Sequence, residues 1–110
     1  MAYDVDMANR LREALAGKSD VVEKAMFGGL TFMVAGHMAV RATDRADLLI
    51  RVGPERAAAL AADVRASPFV MNGREISGWL RIRLDAAAAD DEFDRWIAPA
   101  VDYARSLPPK

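Results

Sequence analysis

The sequence lacks cysteine altogether, and this absence excludes disulfide bonds, thiolate catalysis and cysteine-based zinc sites. Its N-terminus has neither the basic segment nor the long apolar segment of a signal peptide. No apolar run approaches the roughly 20 residues that a helix needs to span a bilayer. These absences predict a soluble, cytoplasmic protein that does not enter a membrane.

Histidine is nearly absent as well, since His37 is the only one. It falls in a predicted hairpin turn without a triad-like pattern of serine and acid around it, so we expect it to be solvated. A metal site needs several convergent ligands, and the acidic cluster of Asp90, Asp91, Glu92 and Asp94 is explained by the start of a helix. We therefore predict no catalytic, cofactor-binding or metal-binding residue and no enzymatic activity.

The composition is that of a folded domain. Of the 110 residues, 53% are hydrophobic and 28% are charged, which predicts one globular domain over residues 1–110. A chain of this size buries roughly two-thirds of its unfolded surface, enough for a single core.

The charges are unevenly distributed although the net charge is only −1. Residues 41–83 contain eight arginines and five acids, a balance of +3, whereas the residues from 85 onward contain six acids and three bases, a balance of −3. Ordinary solvated charge explains this distribution, and a mildly basic surface formed by the central segment is the alternative.

Periodicity and turn residues predict three helices and six strands. The helices are expected over residues 4–16, 55–65 and 90–107, and the strands over residues 21–25, 30–34, 38–42, 48–52, 69–71 and 75–84. The order α-β(3–4)-α-β(2)-α indicates a two-layer α+β domain, with an antiparallel sheet and helices packed on one of its faces.

Glycine and proline mark most of the expected boundaries. The pair Gly28-Gly29 is expected to bend the chain into the second strand, and it lacks the partners of a phosphate-binding loop. Turns are expected at residues 35–37, 43–46 and 72–73. Gly53 and Pro54 predict the start of the second helix.

The last helix has a strong apolar pattern that contains a proline. Asp90 is the expected N-cap, and Pro99 is expected to kink the helix or break it into two pieces, because an interior proline costs about 3 kcal/mol. The apolar set comprises Phe93, Trp96, Ile97, Ala100, Val101, Ala104 and Leu107.

Four segments together resemble the TfoX/Sxy family. They are residues 24–34, residues 47–55, Asn72-Gly73-Arg74 with Gly78-Trp79, and the final helix with Trp96 and the ending Ser106-Leu107-Pro108-Pro109-Lys110. The resemblance implies a bacterial TfoX N-terminal domain, from a family whose founding members are transcriptional co-activators in natural competence. Those members carry a second, helical domain, so we expect this chain to be a stand-alone N-terminal domain.

Strand alternation predicts a candidate binding surface on the side of the sheet away from the helices. In residues 79–84, Leu80, Ile82 and Leu84 should face the core, because neighbouring residues of a strand point to opposite faces. The same parity places Thr31 and Ala39 on the far side. The candidate partner-binding face consists of Met33, Arg41, Leu49, Arg51, Trp79, Arg81 and Arg83.

Two classes of partner are alternative candidates for this face. Trp, Met and Arg are enriched in protein interfaces, so the first is a protein, either transcription machinery or a second copy in a homodimer. The second, less favoured, is a nucleic acid that stacks on Trp79 and places its phosphates on the arginines. A third possibility is that the chain's own C-terminal tail covers Trp79.

Overall fold

Helices and strands follow one another in the predicted order. A computed structural model describes residues 3–18, 20–26, 29–43 and 47–108. The helices within these ranges are α1 (Val5–Ala14), α2 (Pro54–Leu60) and α3 (Asp90–Ser106). The strands are β1 (Val21–Met26), β2 (Gly29–Val34), β3 (His37–Ala42), β4 (Leu48–Arg51), β5 (Ala66–Met71) and β6 (Arg74–Ile82). The α+β class is confirmed.

The strands form one antiparallel sheet in the order β1-β2-β3-β4-β6-β5. The first four strands are a meander, and the β5–β6 hairpin joins it because β6 pairs with β4. One buried cluster contains Leu11 of α1, Ala57 of α2 and Trp96 of α3 together with Phe32 and Ile50 of the sheet. The three helices therefore cover the same side of the sheet, and we call the other side the outer face.

Two hairpins are closed by two-residue turns with positive φ. The φ angles are 52° and 85° at Ala35 and Gly36, and 53° and 78° at Asn72 and Gly73. Such turns match the twist of the flanking strands, and the Asn-Gly prediction is confirmed. Ala35 adopts the left-handed region without the freedom of a glycine.

His37, the first residue of β3, is buried, whereas the sequence predicted a solvated side chain. Only 9% of it is exposed, and its Nε2 donates a hydrogen bond to the carbonyl oxygen of Pro108, 2.6 Å away. The expectation was wrong because the C-terminal tail, distant in sequence, returns to this strand.

The second helix is shorter than predicted. It starts at Pro54 as expected but ends at Leu60. Val64, expected on its apolar stripe, is 82% exposed, and the Asp63 carboxylate accepts a hydrogen bond from the Arg65 amide in the turn that follows. Pro68 lies within β5, where its missing N–H is tolerated because β5 is an edge strand.

The last helix is unbroken over 17 residues, so the predicted break at Pro99 is wrong. Trp96, Ile97 and Ala100, on both sides of the proline, are buried in the core. Burying one large apolar side chain stabilises by about 1.5–3 kcal/mol, so this packing outweighs the lost backbone bond. The N-cap is Ala89 rather than Asp90, without a side-chain cap.

Two predicted features fall outside the described residues: Gly28 of the glycine pair, and positions 44–46 of the turn before β4. No helix in the described part of the chain is long and apolar enough to cross a membrane.

Candidate interaction surface on the outer face of the sheet

The outer face carries a straight row of cations. Strand register places Thr31 opposite Arg41, Arg41 opposite Leu49, and Leu49 opposite Arg81. Lys24 of β1 and Ser67 of β5 extend this line to the two edges of the sheet. We call the line of Lys24, Thr31, Arg41, Leu49, Arg81 and Ser67 the basic row.

Leu49 lies in the middle of this row and is only 2% exposed, although the helices lie on the other side of the sheet. Its cross-strand neighbours are Arg41 and Arg81, and the Nε atoms of both arginines are buried. Long charged side chains cover apolar surface with their stems while their heads stay near water. The Arg41 side chain turns toward β2, where its Cγ and Nε lie over Gly29, whereas Arg81 reaches toward Asp47 beside β4. We infer that the Arg81 stem covers Leu49.

A second row lies about 7 Å away, two residues along β1 and β2 and three along β3. Val22 pairs with Met33, and Met33 pairs with Met38. Val22 and Met38 are 55% and 36% exposed, and Met33 is half-buried. We call these three side chains the apolar row.

A β-bulge in β3 changes the predicted alternation. The register shifts next to Phe32 and Met33, so Met33 pairs with Met38 while Phe32 pairs with Val40. Ala39 is fully buried in the helix-covered core, so its predicted place on the far side was wrong. The extra residue of a bulge reverses which face of the sheet the preceding residues of that strand point to.

Trp79 of β6 pairs with Arg51 of β4, and its ring contacts Phe69 of β5. Their ring centroids are 6.1 Å apart with an interplanar angle of 58°, and Trp79 is half-buried. The tail is described as far as Pro108, whose carbonyl contacts His37 on the helix-covered side. We call Trp79 and Phe69 the aromatic pair.

Two of the predicted arginines lie at the margin of the outer face. The Arg51 guanidinium carbon is 5.5 Å from the ring centroid of Tyr103 on α3, so its charge is turned toward the helices. Arg83 follows the end of β6 and donates to the carbonyl oxygen of Val64 at 3.1 Å. The structure brings together Arg41, Leu49 and Arg81, with Met33 in the adjacent row, and leaves these two arginines outside.

The carboxylate of Asp47 lies beside the basic row. Its Oδ2 is 3.6 Å from the Arg81 Nε, and its other oxygen accepts a short hydrogen bond from the Thr43 hydroxyl. The aspartate therefore faces the inner side of the guanidinium. A guanidinium has five N–H donors, four of them on the Nη groups, and 33% of the Arg81 side chain is exposed.

Two bidentate ion pairs fix β1, the edge strand that carries Val22 and Lys24. Arg12 of α1 holds both carboxylate oxygens of Glu23 at 2.9 Å, and Arg105 of α3 holds both oxygens of Asp20 at 2.8 Å. The hydrogen bonds from Arg12 lower the pKa of Glu23, and those from Arg105 lower the pKa of Asp20. These ion pairs add to the backbone pairing of β1 with β2.

The described residues contain no cluster of three or more His, Asp or Glu side chains positioned for a metal ion. An open cleft of about 470 Å³ lies between the start of α2 and the end of α3, lined by Glu55, Arg56, Asp102 and Tyr103 among others. The charges around it are mixed and do not converge on one point.

The family model of the TfoX N-terminal domain matches residues 13–104, which is most of the chain. This chain belongs to the TfoX N-terminal domain family. No curated protein matches the sequence significantly. Membership places the chain, at the level of the family, among regulatory-type domains.

Two of the motifs that resemble the family contact each other in this TfoX N-terminal domain. A β-carbon at Gly78 would lie 3.3 Å from the Cα of Gly53, and one at Gly53 would lie 2.6 Å from the Tyr103 ring. Both glycines have a φ of 86°. The Gly78 carbonyl accepts hydrogen bonds from the amides of Val52 and Gly53. These motifs join the hairpin to the meander and have a structural role.

Sequence reasoning missed five side chains of the TfoX outer face: Val22, Lys24, Met38, Ser67 and Phe69. Alternation within the predicted strands was sufficient to find Val22, Lys24 and Phe69. Met38 was beyond its reach because the bulge reverses the parity of β3.

Proposed function

We propose that this TfoX N-terminal domain is a non-enzymatic regulatory domain that binds a protein partner through its outer face. The observation that carries the proposal is the apolar row, which stands exposed beside a row of cations on the side away from all three described helices. Apolar side chains that are grouped beside cations, rather than scattered singly, favour an interaction site. The partner we expect is a component of the transcription machinery or a second copy of the chain.

The side-chain types favour a protein over other ligands. Methionine, tryptophan and arginine are enriched in the centres of protein interfaces, and Met33, Met38, Trp79, Arg41 and Arg81 supply them here. Methionine side chains adapt their shape to different partners. A flat face with such groups suits binding, and nothing in its arrangement resembles a nucleophile with its base.

The test is site-specific photo-crosslinking in cells that make the protein naturally. A photoreactive amino acid replaces Met38 on the outer face, and a matched control replaces Val5, which has a similar exposure of 38% but lies on α1. We expect a discrete adduct from position 38, identified by mass spectrometry, and none from position 5. Adducts of equal yield from both positions, or none from position 38, would contradict the proposal.

Homodimer formation is tested by analytical ultracentrifugation of the wild type and of Trp79→Ala. A dimer that weakens in the variant supports self-association through the outer face. A monomer at high concentration in both proteins rules it out.

Nucleic acid remains the second candidate because the aromatic pair lies next to the basic row, a combination used to bind single strands. Against it, Trp79 is partly covered by Phe69, and Arg51 and Arg83 have intramolecular partners. Fluorescence polarisation with a labelled single-stranded oligonucleotide at about 50 mM salt tests this candidate, because phosphate contacts are strong at low salt. Absence of binding there removes it.

A further inference from the structure

We propose that the segment bound by the outer face is acidic, carries large apolar side chains, and lies across the strands over the basic and apolar rows. This inference rests on the proposed function and specifies the chemistry of the partner. The partner recognised in this way is a protein.

The charge of the two rows is the first argument. Lys24, Arg41 and Arg81 occupy alternate strands of the basic row, and neither this row nor the apolar row includes an acidic residue. Neighbouring strands lie about 4.8 Å apart, so the backbone positions of these cations recur at about 10 Å. Asp47 contacts Arg81 from the Nε side. Since the Arg81 Nε is buried while 33% of the side chain is exposed, we infer that a carboxylate of the partner reaches its Nη groups.

The apolar row is the second argument. Val22, Met33 and Met38 are aliphatic or thioether side chains, which pack against apolar side chains and give no flat surface for a base. The row runs about 7 Å from the cations. A partner therefore needs carboxylates along one line and apolar groups along a parallel line, which a polypeptide supplies and a phosphate backbone does not.

A second copy of the chain fits this face poorly. A two-fold pairing of outer faces would place cations against cations, which disfavours association. The chain's own acids at Asp91, Glu92 and Asp94 lie on α3, on the opposite side of the molecule. Docking them on the next copy's basic row gives a head-to-tail contact that does not close into a dimer.

The experiment is selection from a display library of random 12-residue peptides on the full chain. We expect the enriched peptides to be rich in Asp and Glu together with Phe, Leu, Trp or Met. The spacing of their acids reports the bound conformation, since about 10 Å corresponds to three residues in an extended chain and to seven in a helix.

Three variants connect the selected peptides to the two rows. The double variant Lys24→Met with Arg81→Met keeps the apolar stems and removes two charges, and should bind the selected peptides about tenfold more weakly. Met38→Ser should weaken them as well. The matched control Arg56→Met removes an exposed cation from α2 and should bind as the wild type does.

The outcomes separate this inference from the proposed function. Enriched peptides that are neutral or basic, an absence of enrichment, or equal binding to all variants overturns the acidic partner. If crosslinking at position 38 still gives its adduct, the protein-binding function stands although the acidic partner is overturned. A third outcome is that no peptide is enriched, while an oligonucleotide binds the wild type and loses affinity for the double variant. This outcome overturns the acidic protein partner in favour of a nucleic acid.

Discussion

Ile50 and Leu49 are adjacent on β4 and almost equally buried, yet different surroundings bury them. Ile50 points into a core closed by three helices, where Trp96 and Phe93 are also covered completely. Leu49 points to the outer face, between two arginines. Burial on the helix-covered side comes from dense apolar packing, whereas burial of Leu49 on the outer side depends on the flexible charged chain of Arg81. A surface covered in this second way can be uncovered by a ligand.

The largest effect expected from this contrast is that Ile50→Ala lowers the free energy of unfolding more than Leu49→Ala does. Removing Ile50 leaves a cavity in a tight core and should lower the free energy of unfolding by about 3–4 kcal/mol. Removing Leu49 should lower it by about 2 kcal/mol, because the Arg81 stem can relax into the space. Urea denaturation with unchanged m-values measures both, and equal losses would contradict the contrast.

A smaller effect is expected when the cover is removed and Leu49 is kept. Arg81→Ala should lower the free energy of unfolding by about 1 kcal/mol, because it exposes Leu49. Arg81→Met keeps a stem of similar length and should lower it by less than about 0.5 kcal/mol. If urea denaturation finds equal losses of unfolding free energy for the two variants, the ion pair with Asp47, and not the Arg81 stem, stabilises the fold.

The turn that precedes the bulged strand offers a stabilising change. Ala35→Asn should raise the free energy of unfolding by about 0.5–1 kcal/mol, because asparagine tolerates the positive φ that strains alanine. Ala35→Val is the opposing control and should destabilise. Thermal unfolding of the three proteins measures the order, and a less stable Ala35→Asn variant would show that the turn is unstrained.

Acid should loosen the β1 edge of the sheet more than its centre. Glu23 and Asp20 have pKa values lowered from 4.5 and 3.8, so their contribution is complete above these values and is lost as the pH falls through the lower folded-state values. Amide exchange in β1 should therefore accelerate, relative to β4, below about pH 4. Glu23→Gln should show this faster exchange already at neutral pH, and uniform exchange across both strands would contradict the prediction.

Much of the fold followed from local signals. Alternation in β2, β4 and β6 placed Thr31, Leu49 and Arg81 on one side, and the register puts them in one row. The turn at Asn72 and Gly73 followed from residues that tolerate positive φ. Such features depend on near neighbours in the sequence, which is why the sequence alone predicts them.

The errors arose where distant contacts decide. The bulge in β3 adds one residue without any change in composition, so the facing of Ala39 and Met38 was not predictable. The burial of His37 depends on Pro108, far along the chain. The alanine-rich stretch after Leu60 favours a helix, but the chain turns at Asp63, whose carboxylate pairs with Arg95 of α3.

The close contact between Gly53 and Gly78 has a consequence for how the chain reaches its fold. The β5–β6 hairpin closes through a short turn and forms from local contacts, whereas β4 and β6 meet only after the intervening chain has looped back. Long-range strand pairing is slow because the loop entropy is lost before the contacts form. Gly78→Ala obstructs this junction, so we expect it to slow refolding in stopped-flow experiments as well as to speed unfolding. An unchanged refolding rate would place the docking of the hairpin after the transition state.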